Sequence, residues 1–108
     1  MNSAKLSDMV KGWFVGSFKP TAFSTEACEV GVKAYKAGDS EAAHYHKIAT
    51  EITLVLSGSV SMRGQTWNEG EIIVLEPGDI TAFEAITDAT TVVVKVPGAL
   101  DDKYVVGD

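Results

Sequence analysis

Histidine occurs only at positions 44 and 46 of the 108-residue chain. On a β-strand, side chains at i and i+2 leave on the same face. His44 and His46 would then aim two imidazoles to one side of a sheet, which is what a metal needs from a single strand. Glu51 follows five positions after His46, at the head of the run Ile52 to Leu56. A tight turn through Ile48-Ala49-Thr50 returns its carboxylate to the same face. Two imidazoles and one carboxylate form an open donor set that suits iron, manganese, nickel, zinc or copper. Positions remain free on such an ion for water, dioxygen or an organic ligand. The plainer alternative is a pair of exposed strand histidines beside an ordinary surface carboxylate.

The elements that must position these residues read as strands. β-branched and aromatic residues recur in short runs separated by Gly, Pro, Asp and Asn, which is the strand-and-turn rhythm of an all-β domain. Strands are predicted over Trp13 to Phe18, Glu29 to Lys36, Ala43 to Lys47, Glu51 to Leu56 and Val60 to Arg63. Further short runs follow at Thr66-Trp67, Ile72 to Leu75, Ile80 to Ala85 and Thr90 to Val96. Glu76-Pro77-Gly78-Asp79 is a strong turn signal, since proline presets one dihedral and glycine permits the other. Helical periodicity is confined to the polar start, residues 3–10. This rhythm fits an immunoglobulin-like sandwich, an OB-type barrel and a jelly roll equally well.

Composition narrows the function classes. The length is that of one domain, and 45% of the residues are hydrophobic. Nine basic residues stand against 15 acidic ones, a net charge of −6. That balance, with no Lys/Arg cluster, argues against nucleic acid and membrane surfaces as partners. Cys28 is the single cysteine, so no disulfide can form within the chain and a cytoplasmic setting is expected. It reads as a small residue packed near a strand. The first residues carry no targeting pattern, and the apolar patch around Trp13 and Phe18 is too short and glycine-broken for a signal segment or a membrane span.

Gly38, His44, His46, Glu51 and Gly58 are five residues at set offsets over 21 positions, and their spacing resembles the first motif of the cupins. The resemblance extends over roughly residues 28–97. It implies an all-β, cupin-type jelly-roll β-barrel, or double-stranded β-helix, with the site inside the barrel. It also implies a divalent metal held by His44, His46 and Glu51, and a homodimer that shares N-terminal strands. The whole chain, 1–108, then reads as one domain: an N-terminal arm over 1–27, a barrel over 28–97 and a tail over 98–108. The second cupin motif is degenerate. Gly70, Pro77 and Gly78 fall where the family expects them, but Thr81 stands where a fourth ligand histidine is usual. Alternation puts Phe83 on the same face as Thr81 and turns Glu84 away.

Around this centre, Lys33 and Tyr35 should lie on a strand lining the barrel. Tyr35 is a candidate proton or hydrogen-bond donor, or else an amphipathic residue at the barrel mouth. Arg63 is a candidate clamp for an anionic group, or else, near a hairpin tip, a solvated charge; Trp67 is expected to pack beside a hairpin. Trp13, Phe14 and Phe18 are expected to pack on the barrel or a partner subunit. The tail through Asp101, Asp102, Lys103 and Tyr104 reads as a solvated or subunit-contacting extension. Three functions compete. The first is a metal-dependent enzyme acting on a small oxygen-bearing molecule. The second is a metal-free sugar-nucleotide isomerase or epimerase, in which His44 or His46 moves a proton; few cavity-facing Lys or Arg residues are expected for its diphosphate. The third is a non-catalytic small-ligand binding module.

Overall fold

Alternation of inward and outward side chains sorts the described residues into ten strands that pair into two antiparallel sheets. The computed structural model describes residues 1–106; the last two positions of the tail expected over 98–108 lie outside the described residues. The first sheet has the order β1 (Trp13–Val15), β2 (Glu29–Tyr35), β9 (Ala89–Val96), β4 (Thr50–Ser57), β7 (Ile72–Leu75). The second has the order β10 (Tyr104–Val105), β3 (Ser40–Tyr45), β8 (Thr81–Ala85), β5 (Ser59–Met62), β6 (Gln65–Asn68). Among the described residues, no helix is long and apolar enough to cross a membrane.

The period-two pattern decides which face each residue takes. In β8, Thr81, Phe83 and Ala85 are buried while Ala82 and Glu84 are exposed. In β9, Ala89, Thr91 and Val93 point inward. The closed part of the core gathers Val55, Val60, Met62, Ile73, Leu75, Phe83, Ala85 and Ala89. Each fully buried Val there contributes roughly 1.5–3 kcal/mol. The outward face of β4, β7 and β9 is also apolar: Leu56, Ile72, Val74 and Val96 are all exposed.

Several boundaries differ from the sequence reading. β1 ends at Val15 rather than Phe18, because the chain folds back on itself: Gly16 N–H donates to the Phe23 carbonyl and Ala22 N–H to that of Phe14. β3 starts earlier, at Ser40, and stops before His46. The polar start makes one short 3-10 turn, Leu6–Asp8, with no side-chain cap and no buried residue to stabilise it. The tail is no loose extension. β10 pairs with β3, setting Tyr104 opposite Tyr45 and Val105 opposite His44.

Gly58, the last residue of the first motif, joins β4 to β5 with φ near +80°. A Cβ there would sit 2.1 Å from the Asp88 carbonyl oxygen. Gly58→Ala therefore meets both a strained backbone and a backbone clash, and should cost more than ~1 kcal/mol. A lowered urea midpoint with an unchanged m-value would register it.

Candidate functional site

A cavity of about 240 Å3 lies between the inward faces of the two sheets. His44 from β3 and His46 from the residues just after it both line this cavity, as i, i+2 spacing requires. Glu51 and Thr53 reach it from β4. The turn through 48–50 does return Glu51 to the histidines: its Oε1 lies 3.3 Å from His46 Nε2.

The orientation of His46 is fixed from outside the motif. Its Nδ1 meets the backbone carbonyl of Asp102. A carbonyl only accepts, so Nδ1 carries hydrogen and Nε2 is the nitrogen presented to Glu51. His44 follows the same rule, with Nδ1 donating to the Ala42 carbonyl at 3.0 Å. The two rings meet edge to face, with centroids 5.5 Å apart. A neutral His46 would set a lone pair against the Glu51 carboxylate, so the contact calls for a proton or a cation between them. Their electrostatics agree. The hydrogen bond to Glu51 raises the His46 pKa above its usual value, against the opposing effect of burial. Burial alone would raise Glu51, but the His46 hydrogen bond and the His46 and Lys95 charges hold it below the ordinary carboxylate range.

Asp102 does more than orient one ring. It is 4% exposed, and its carboxylate accepts hydrogen bonds from the N–H groups of Lys47 at 3.0 Å, Ile48 at 3.0 Å and Ala49 at 2.9 Å. Burial would raise its pKa, but these backbone donors override that and hold it low. The β3–β4 connection is thereby clamped to the tail. The Pro77-Gly78 turn of the degenerate motif grips the other side, where Gly78 N–H donates to the His46 carbonyl at 2.8 Å. The sequence reading of Asp102 as part of a solvated or subunit-contacting extension is corrected here, since its partners lie 53 to 56 positions away.

The remaining candidates divide. Tyr35 lines the cavity, packs its ring against Phe83 at a tilt of 37° with centroids 4.4 Å apart, and donates to Glu41 Oε2 at 3.2 Å. Burial first, then the Glu41 charge and hydrogen bond, push its pKa well above that of a free phenol. Thr81 also lines the cavity, but its hydroxyl is committed, accepting from Arg63 N–H at 2.9 Å and donating to the Ala82 carbonyl at 2.6 Å. Arg63 itself is exposed and reaches the Ile80 carbonyl. Trp67 donates Nε1–H to the Met62 carbonyl at 2.9 Å, beside its hairpin as expected.

Two features escaped the sequence reading. Glu41 lines the cavity although it is three residues from His44, because the β3–β8 register shifts between Glu41 and His44. Such a bulge moves one residue out of strict alternation. The expectation of few cavity-facing basic residues is also overturned: Lys11, Lys33, Lys95 and Lys103 all line the cavity.

The donor chemistry of His44, His46 and Glu51 fits a divalent metal, since each imidazole presents Nε2 and ties its Nδ1–H to a carbonyl. Their spacing as it stands does not close around one. Among the described residues, no three His, Cys, Asp or Glu side chains are grouped so as to hold an ion.

Asp102→Ala removes the acceptor for three backbone N–H groups and should cost roughly 3 kcal/mol, read as a drop in the thermal midpoint. In a difference titration at 295 nm between wild type and Tyr35→Phe, the phenol of Tyr35 should ionise only well above pH 10. Protonated Tyr35 favours the fold, so stability is held below the free phenol's pKa and falls as the pH rises past it.

No family model and no curated protein matches the sequence. Solved structures do match. A protein with a double-stranded β-helix domain from Klebsiella pneumoniae is similar with a TM-score of 0.64 and 23% identity, over 68% of this chain and 66% of that one. An rmlc-like cupin protein from Desulfovibrio desulfuricans gives 0.58 and 24%, over 68% and 74%. An acetylacetone dioxygenase from Acinetobacter johnsonii gives 0.60 and 14%, over 66% and 52%. With two antiparallel sheets facing each other across a histidine-lined cavity, the chain has the cupin fold, a double-stranded β-helix.

Proposed function

We propose that the protein binds a small organic molecule in its barrel cavity, at a divalent metal held by His44, His46 and Glu51. The observation that carries this reading is the facing pair His46 Nε2 and Glu51 Oε1, 3.3 Å apart, with the other imidazole nitrogen already bonded to a carbonyl. Such a bond from the remote ring nitrogen is the usual support of a metal-ligating histidine. A metal there supplies Lewis acidity or a redox centre. The protein's own groups orient and enclose the ligand: Phe83 and Met62 give apolar walls, and Tyr35 gives a phenol that stays protonated at neutral pH.

A second reading is favoured by the absence of a three-ligand grouping among the described residues. In it, the space between His46 and Glu51 holds a proton, and the pair moves protons on a ligand without any metal. The cavity volume bears on the sugar-nucleotide version of this idea. At about 240 Å3 it lies below the roughly 300–1,000 Å3 of sites that enclose drug-sized ligands, so a whole sugar nucleotide would remain largely outside. The non-catalytic binding module stays compatible with either state of the pair. The homodimer is likewise kept as a proposal, supported by the exposed Leu56, Ile72, Val74 and Val96 on one outer sheet face, which a second copy would cover.

Elemental analysis of the untagged protein beside a His44→Ala/His46→Ala control separates the readings. The metal reading expects near-stoichiometric Fe, Mn, Ni, Zn or Cu in the wild type alone. It also expects a lower melting temperature after chelation, since a ligand at a hundredfold excess over its Kd stabilises by about 2.7 kcal/mol. No metal after anaerobic reconstitution would overturn it and leave the proton-transfer pair.

A further inference from the structure

A chain with net charge −6 places four of its nine basic side chains around one cavity. Lys11, Lys33, Lys95 and Lys103 line it against two carboxylates, Glu41 and Glu51. Among the described residues, only Lys103 of the four has a carboxylate within 4.0 Å, and that contact to Glu41 is a loose 3.9 Å. Lys33 and Lys95 share one platform, with their ammonium groups 5.3 and 5.0 Å from the Trp13 ring centroid. Gly31 makes this possible, because a Cβ at that position would stand 2.8 Å from the indole. Burial, and then the neighbouring lysines, oppose the charge on Lys33 despite the help of Glu41. Like charges crowded at a cavity raise the local concentration of anions.

A second observation comes from the same cavity. Thr91, on β9 between Lys33 of β2 and Val55 of β4, is 1% exposed. It lines the cavity, and among the described residues its hydroxyl has no hydrogen-bond partner, although it comes near enough to the Tyr35 phenol to influence it. A buried hydroxyl left unpaired is costly, and here it faces the space a ligand would fill.

We propose that the cavity takes a small carboxylate-bearing molecule, its anionic group received by the Lys33 and Lys95 ammonium groups beside Trp13 while a hydroxyl or carbonyl oxygen reaches the Thr91 hydroxyl. This rests on the reading that the barrel binds a small organic molecule, and it names the class of that molecule. The about 240 Å3 available limits the ligand to a short acid. Lys33 pairs with Thr91 and Lys95 with Glu29 across the β2–β9 ladder, so the two charges are held by paired backbone rather than by a loop.

The test is calorimetric titration of the protein with 2-hydroxy and 2-oxo mono- and dicarboxylic acids of three to six carbons. Each acid is run beside its uncharged amide, inorganic phosphate and neutral polyols of the same size. At least one acid should bind tenfold or more tightly than its amide and than phosphate, and weaken several-fold as salt is raised. Lys33→Gln and Lys95→Gln should each lose about tenfold in that affinity while keeping the far-ultraviolet circular dichroism of the folded wild type. Thr91→Val, which relieves the unpaired hydroxyl, should raise the melting temperature and still weaken the acid. Binding of phosphate or an amide as tightly as the acid, or indifference of the acid to both lysine variants, would overturn the proposal. A neutral polyol that binds where no acid does would overturn it too, while preserving the small-molecule reading. Failure of every probe would remove both.

Discussion

A carboxylate withdrawn from water keeps its charge only where donors replace the water it has lost. Asp102 satisfies this with the N–H groups of Lys47, Ile48 and Ala49, and its own carbonyl receives the hydrogen on His46 Nδ1. One residue thus closes the β3–β4 connection and selects the tautomer of the buried imidazole. The chemistry of the site depends on that selection. Were Nδ1 free to accept, Nε2 could donate to Glu51 as a neutral ring, and the pair would have no call for a proton or a cation. With Nδ1 committed, the 3.3 Å approach of Nε2 to Glu51 holds a place for positive charge.

The rest of the cavity is arranged around that place by charge. His46 and Glu51 answer one another in the interior, and Lys95 adds to what keeps Glu51 ionised. Across the cavity, Tyr35 is held protonated by burial and by Glu41. Among the described residues, Lys11, Lys33 and Lys95 lie among these groups with no carboxylate in ion-pair reach, and only Lys103 meets one, Glu41. A ligand entering therefore meets an excess of cations, apolar walls from Phe83 and Met62, and a polar centre whose charges are already compensated. The Thr81 hydroxyl takes no part in this, because it accepts from the backbone of Arg63, just after β5, and donates to that of Ala82 in β8.

Much of this was legible in the residues. The inward placement of His44, His46, Thr81 and Phe83, and the outward turn of Glu84, follow from period-two alternation alone. The return of Glu51 follows from the length of the turn that precedes it. Alternation fails where the ladder slips: Glu41 is brought inward by a bulge that Ala42 and Ala43 do not announce. Lys95 and Trp13 lie far from the motif in sequence, and reach the cavity only through the pairing of β1 with β2 and of β2 with β9. Asp102 was read as surface charge because aspartate in a polar tail ordinarily is one. Its role depends on backbone donors more than 50 positions earlier, which no local pattern reveals.

That separation shapes the order in which the molecule can be made. The β2–β9 ladder joins residues 29–35 to 89–96, and the clamp on His46 joins positions 46 and 102. Contacts of such sequence separation must first overcome the entropy of closing a long loop, so they form slowly and late. A chain whose first eight strands have met would already carry His44 on β3 and His46 just after it, yet His46 would still be free to exchange tautomers and the β3–β4 connection free to swing. The tautomer that the site's chemistry needs thus depends on the docking of the tail beside β3.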